Sequence, residues 1–483
     1  MKRFIRFSAF GLAAGMVLLS AACGGGEDSV ILKPGGGIAN PWWETTGEMT
    51  YEGEEPVYDD IDIELVTVVT GDDMRPFADV INQFNREYDG QIHVNVENIS
   101  QETFEQTVGQ RISTGANAPD LIMSHNKSHK SFAESRLIQP FDEAYEAARI
   151  EFNREDYVDG LIELSDLGYE NTQFSIPIDG QSLVIYYNKG LLSSIGKEVP
   201  TTHAEFLDVC AAFAARFDTS DDFYAVSCGV SDNVYFQRYL FMTMYIQNGG
   251  ELYNTETLRA EWTNETNLQA FKDTDTAIKD LTNNGYFKYG ENLMTAETRF
   301  FQNKSLFLID RPWAAETLFD GYMTYNPGTA DINSVIGGAS SAGLFAIDPE
   351  KPTANYIFGD SHAFAMSKTV KDIELKAAIA EFTNWFTHNA EAGATWGEGG
   401  HMSASKVILA SDDYNENAFV NTFLNGFYSS PDEFVTIGNT VHYSELIDRL
   451  YDVATQCLMS PDAIEIIVAT KEQSFNDYVD LMG

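Results

Sequence analysis

The chain has 483 residues, with 73 acidic against 30 basic side chains and a formal net charge of −43. So large an acid excess excludes a nucleic-acid binder, whose affinity rests on Lys and Arg at phosphates, and a protein held to anionic lipid by a basic patch. A hydrophobic content of 44 % with 13 % aromatics supports two or three packed domains and excludes disorder over most of the chain.

Lys2, Arg3 and Arg6 precede an apolar stretch from Phe7 to Ala22. That stretch is shorter than the ~20 residues a membrane-spanning helix needs, and its layout is that of an export signal. Leu18-Leu19-Ser20-Ala21-Ala22-Cys23 resembles a bacterial lipobox, with Ser20 where the pattern prefers Leu. The resemblance implies removal of residues 1–22, acylation of Cys23, and a protein held to the outer face of the cell membrane by lipid alone. A plain secretory signal is the competing reading. Residues 24–60 carry eight glycines and nine acids against the single Lys33, and so read as a solvated spacer. Trp42-Trp43 interrupts it, either packing on the folded body or contacting a ligand.

From residue 61 strands and helices alternate. Ile61, Ile63 and Leu65 alternate with acids and run into Val66-Thr67-Val68-Val69, a first strand. Phe77, Val80, Ile81 and Phe84 mark one face of a helix. Ile92-His93-Val94-Asn95-Val96 is a second strand. Phe104, Val108 and Ile112 mark a second helix ending near Gly115, and Leu121-Ile122-Met123 is a third strand. This order predicts a parallel sheet with helices on its faces. Ligands in open sheets of this kind gather beyond the carboxyl ends of the strands, which points to loops 70–73 and 124–127.

Five blocks in order then carry a family resemblance. They are Gly115-Ala116-Asn117-Ala118-Pro119-Asp120, followed by Leu137-Ile138-Gln139-Pro140-Phe141-Asp142; the run from Ile176 to Lys189; Pro200-Thr201-Thr202-His203-Ala204-Glu205-Phe206, with His203 for a usual Trp; the run from Phe300 to Trp313; and 377–386 followed by Gly399-Gly400-His401-Met402-Ser403-Ala404, with Ser403 for a usual Pro. Over roughly residues 60–410 the chain resembles the extracellular solute-binding proteins of family 1, mostly carbohydrate-binding receptors of ABC importers related to maltose-binding protein. The resemblance implies an α/β, two-lobed periplasmic-binding-protein-like (type II) fold with a hinged interlobe cleft. By position, lobe 1 holds 61–178 and 350–400, and lobe 2 holds 182–347 and 402–483. Crossings are expected near 179–181, 347–349 and 400–401, with insertions near 218–260 and 407–445. It further implies a monomer that closes on a carbohydrate, expected to be an oligosaccharide, and delivers it to membrane permease subunits without chemical change. No cofactor or metal is implied.

A sugar site needs planar polar groups beside aromatic rings. Trp313 matches the family's stacking position, with Arg311 beside it; a core Trp is the bland alternative. Asp72 and Asp73 lie in the first strand-end loop, where helix capping competes. Asn126 and Lys127 follow the third strand, and Asp179 and Gln181 lie at the first crossing. Trp396, Glu398 and His401 lie at the last return, and Asp360 and His362 lead into a strand-like run. Trp385 shares a helical face with Ile379, Phe382 and Phe386 and reads as core; nothing in the pattern places Trp262.

His125 and His129, four apart, invite a zinc reading, but no Cys pair or HExxH accompanies them. Cys210 and Cys228 are expected as buried thiols, with a disulfide as the alternative. A receptor for glycerol phosphate or a peptide, or a secreted glycoside hydrolase with two carboxylates across the cleft, are the alternatives to a sugar receptor. For the anchor, Cys23→Ala should shift the protein from the membrane to the soluble fraction on cell fractionation; retention of the variant in membranes would contradict lipidation.

Overall fold

Acid–apolar alternation at the start of β1 (Ile61–Thr67) gives that strand two different buried faces. Ile63 and Leu65 enter one core and Val66 another. The computed structural model describes residues 56–482 apart from 170–171, 231–233, 255–256, 289, 429–432, 437–439, 441 and 460–463. The export signal, Cys23 and the Trp42-Trp43 pair lie outside the described residues. Tyr58, at the end of the expected spacer, is already docked, its hydroxyl 3.4 Å from a Glu381 carboxylate oxygen.

β1 lies between β2 (Ile92–Asn98) and β3 (Leu121–His125), parallel to both, with Ile61 opposite Ile92 and Leu65 opposite Leu121. The helix Met74–Glu87 covers one face with Phe77, Val80, Ile81 and Phe84. The helix Gln101–Thr114 covers the other with Phe104, Val108 and Ile112. It stops at Gly115, whose φ of +70° costs a glycine nothing. The Asp120 carboxylate accepts the Glu64 N–H at 3.0 Å, so the acid of the Pro119-Asp120 pair pins β3 to β1.

β4 (Ile138–Gln139) and β5 (Ile176–Pro177) add short edges, and β6 (Asp179–Gly180) leaves this sheet. A second sheet follows, of β7 (Val184–Asn188), β8 (Tyr224–Cys228), β9 (Ser305–Asp310) and β10 (Ile336–Ala339) in the order β10-β7-β9-β8. Ahead of the helix His203–Arg216, Thr202 accepts the Glu205 N–H while Glu205 accepts the Thr201 N–H, a reciprocal cap. His203, standing where the family has Trp, is buried with Nδ1 2.8 Å from the Leu344 carbonyl.

β11 (Ile357–Phe358) still packs with the second sheet: Phe358 is in its core and donates its N–H to Thr243 Oγ1. The return to the first sheet comes at 359–361, further along than the expected 347–349. β12 (His362–Ser367) then inserts antiparallel between β3 and β4. β13 (Met402–Ser403) pairs antiparallel with β6, and β14 (Phe434–Val435) pairs parallel with β11. Gln181 and Asp360 exchange backbone hydrogen bonds of 2.9 and 2.8 Å. Three passes of chain are thus bound together between the sheets.

Trp385 lies in the core as the helical pattern expects, its indole N–H on Glu87 at 2.9 Å. Trp262 is buried too, stacked near Phe475 of the last helix. Cys210 and Cys228 are buried free thiols; burial pushes both thiols up.

At Gly400 the chain has φ +86°, and a Cβ there would lie 2.3 Å from the Pro312 carbonyl, contributed by the second sheet's side of the molecule. Backbone strain alone costs about 1–3 kcal/mol. Gly400→Ala should therefore lower the urea midpoint clearly; an unchanged midpoint would contradict this close approach.

Candidate functional site

The carboxyl ends of β1 and β3 and the three passes converge on a buried polar cluster. Its hub is Asp179, which is fully buried. Oδ1 accepts the His362 backbone N–H at 2.8 Å. Oδ2 lies 2.9 Å from His362 Nδ1 and accepts the Trp396 indole N–H at 3.0 Å. Burial alone would raise this carboxyl, but His362 and His401 outweigh it and hold it below the usual range. His362 is raised for the matching reason, Asp179 overcoming the penalty of burial.

His401, fully buried, stacks flat on Trp396 with ring centroids 4.2 Å apart and 3° between planes. Its Nδ1 is 3.3 Å from Asp179 Oδ2 and its Nε2 is 3.4 Å from Asp73 Oδ1. Neither nitrogen has hydrogen-bond alignment, and Asp73 Oδ1 likewise has no partner. The capping role weighed for Asp73 is unused, since its side chain makes no cap bond.

A second carboxylate, Asp360, anchors the other half. Its Oδ2 accepts from Lys127 Nζ at 2.7 Å and from the Tyr239 hydroxyl at 3.3 Å, and lies 3.2 Å from His125 Nδ1. Burial would raise it, but Lys127 and then His125 hold it well below the usual range. His125 is pushed down to about 4 by burial and by Lys127. Lys127 also lies over the Tyr443 ring, 5.2 Å from its centroid. Next to it, Asn126 is buried with neither amide atom bonded.

The remaining sequence candidates scatter around this cluster. Gln181 is buried with Nε2 3.5 Å from His362 Nε2. Trp313 is half-buried in the turn Pro312–Ala314, its backbone against Gly400. Arg311 is turned to the acids of its own side, Asp310 at 3.1 Å and Glu297 at 3.2 Å. Asp72 is exposed and accepts from Thr317 at 2.5 Å, while Arg75 pairs with Glu316 at 3.1 Å, so the rims of the two halves meet there. Glu398 is exposed and bonded to Asn417, apart from the cluster. His129 is not directed toward His125 as a zinc partner: its ring nitrogens lie 3.0 and 2.7 Å from Ser124 and Ser175 hydroxyls. Tyr239 and Tyr443 gave no sequence signal, because isolated tyrosines on helices look like any others. His125 falls within the candidate loop 124–127, and its pairing with Asp360 has no local signal in the sequence.

This arrangement can hold a polar solute through fixed anions, an ammonium and an unpaired amide, beside aromatic rings. Lys127→Met should cost about 3–5 kcal/mol, because it leaves Asp360 buried without its principal counter-charge. The double variant Lys127→Met/Asp360→Asn should recover part of that loss in urea denaturation, and purely additive losses would contradict the pairing.

The comparisons with known proteins concern the fold and the family. A family model described as bacterial extracellular solute-binding protein matches residues 79–422. No curated protein sequence matches the chain. Among solved structures, the fold is similar to the sugar-binding protein MalE of Xanthomonas citri, at 14 % identity and TM-score 0.68 over 86 % of this chain and 96 % of that one. It is similar to the GacH receptor of Streptomyces glaucescens, solved unliganded and with acarbose, at 15 % identity and TM-score 0.64 over 86 % and 97 %. An ABC substrate-binding protein of Listeria monocytogenes, solved with cycloalternan, matches at 16 % identity and TM-score 0.62 over 87 % and 100 %. At these identities the likeness shows the fold.

Proposed function

The chain belongs to the bacterial extracellular solute-binding proteins, and from that premise we propose that it is the receptor of an ABC importer for a carbohydrate, an oligosaccharide by preference. The solute is captured between the two halves, their closure is stabilised by contacts made only in the closed form, and the closed form is presented to permease subunits. No bond in the solute is made or broken. The observation that carries this reading is the buried Asn126 amide, with both polar atoms unpaired, next in the chain to Lys127, which pairs with Asp360 and lies over the Tyr443 ring. Buried polar groups in native proteins are nearly always bonded, and an amide that both donates and accepts suits a vicinal pair of sugar hydroxyls. The sugar chains in the MalE-like relatives' complexes support the choice of class. The protein acts as a monomer, acylated at Cys23 and held outside the cell by its spacer.

A panel of mono- and oligosaccharides should raise Tm by a few degrees for the cognate sugar, as expected for a ligand at about a hundredfold excess over Kd. A flat response across a broad panel would overturn the carbohydrate reading, and product formation from a bound sugar would overturn the receptor reading. Asn126→Ala should weaken the cognate sugar by about 1–3 kcal/mol, roughly five- to 150-fold in Kd, by calorimetric titration.

A further inference from the structure

We propose that Asp179, His362 and His401 form a binding site for one divalent transition-metal ion of the zinc class, placed where the three passes of chain meet. One ligand atom from each residue lies within 4.8 Å of the others, and all three side chains are buried. Asp179 Oδ2 is 2.9 Å from His362 Nδ1 and 3.3 Å from His401 Nδ1, close to the ~3.3 Å edge of a tetrahedron with ligands at ~2.0–2.1 Å from zinc.

Two observations separate this from an ordinary buried ion pair. First, His401 Nδ1 approaches the carboxylate without hydrogen-bond alignment, and its ring is wholly buried. A nitrogen lone pair and a carboxylate oxygen directed at a common ion approach each other in this way. Second, the outer partners are those that a metal site needs. His401 Nε2 lies 3.4 Å from the unpartnered Asp73 Oδ1, the carboxylate to which the Nε2 proton would be donated with Nδ1 on the ion. His362 Nε2 faces the Gln181 amide at 3.5 Å. The Trp396 indole and the His362 backbone N–H hold the two Asp179 oxygens, and Trp396 also fixes the His401 ring by stacking. Two imidazoles and a carboxylate suit Zn²⁺, Fe²⁺, Co²⁺ and Ni²⁺ rather than Ca²⁺ or Mg²⁺. An ion here would join Asp179 of β6 to His362 of β12 and His401 ahead of β13, and so fasten the segments about which the two halves hinge.

The site is independent of the carbohydrate reading, because zinc is titrated with no sugar present. Tag-free full-length protein, stripped with chelator, should bind zinc at one ion per chain by calorimetry, retain it through gel filtration, and gain several degrees in Tm. Co²⁺ should give the visible absorption bands of a low-coordinate nitrogen–oxygen site. His401→Gln and His362→Gln should each weaken zinc at least tenfold, with His93→Ala, an exposed histidine, unchanged. Asp179→Asn tests the third ligand, and if that variant does not fold, the Co²⁺ spectrum and stoichiometry of the wild type decide. No retained zinc, or zinc binding unaffected in both folded histidine variants, would overturn the proposal.

Discussion

A carboxylate buried without full pairing costs several kcal/mol, and the centre of this molecule is organised around meeting that demand at Asp179. Its oxygens draw a backbone N–H and a ring from His362, an indole N–H from Trp396 and the approach of His401. These partners come from chain segments far apart in sequence. Satisfying one charge therefore fastens together the segments that run between the two sheets, and makes the crossing region stiffer than a set of free linkers. Asp360 repeats the principle one step away, with Lys127, His125 and Tyr239. The two networks touch through the rings of His125 and His362, whose centroids are 4.7 Å apart.

This construction fits a receptor whose halves move as bodies. The rigid part is the bundle of passes; the movable contacts are at the rim, where Asp72 and Arg75 meet Thr317 and Glu316. Those rim contacts are exposed or half-exposed and individually weak, so they can part without unfolding either half. The Asn126 amide, the proposed solute contact, is bonded to neither the Asp179 hub nor the rim. Stability and solute capture are assigned to different residues by this division.

Much of the first sheet was legible in the sequence because its signals are local. Period-two alternation placed β1 and β2, and the spacing of Phe77, Val80, Ile81 and Phe84 placed the helix that covers them. The same strand order placed loops 70–73 and 124–127 at the carboxyl ends of the sheet, where the candidate site lies. The point of return between sheets was harder to place: 344–356 keeps an irregular course against the second sheet's helices, and irregular chain carries no periodicity. Site residues divided along the same line. Asp179, His362 and His401 could each be named as candidates, but their meeting at one point depends on strand pairing across more than two hundred residues. Three ligands so spaced make no motif, which is why the sequence named no metal. Glu398 and Arg311 look as suitable as their neighbours in the sequence; only the fold shows one turned to Asn417 and the other to Asp310 and Glu297.

The net charge of −43 belongs to the solvated exterior, whereas the buried acids of the cleft are matched by histidine, lysine and indole donors. The central claim is that a carbohydrate closes the two halves on themselves. Small-angle X-ray scattering of the protein, free and saturated with the sugar that raises Tm most, tests it directly. The account predicts a smaller radius of gyration in the sugar-bound state, with the sugar recovered intact. An unchanged radius with the sugar bound, or recovery of cleaved sugar, would contradict it.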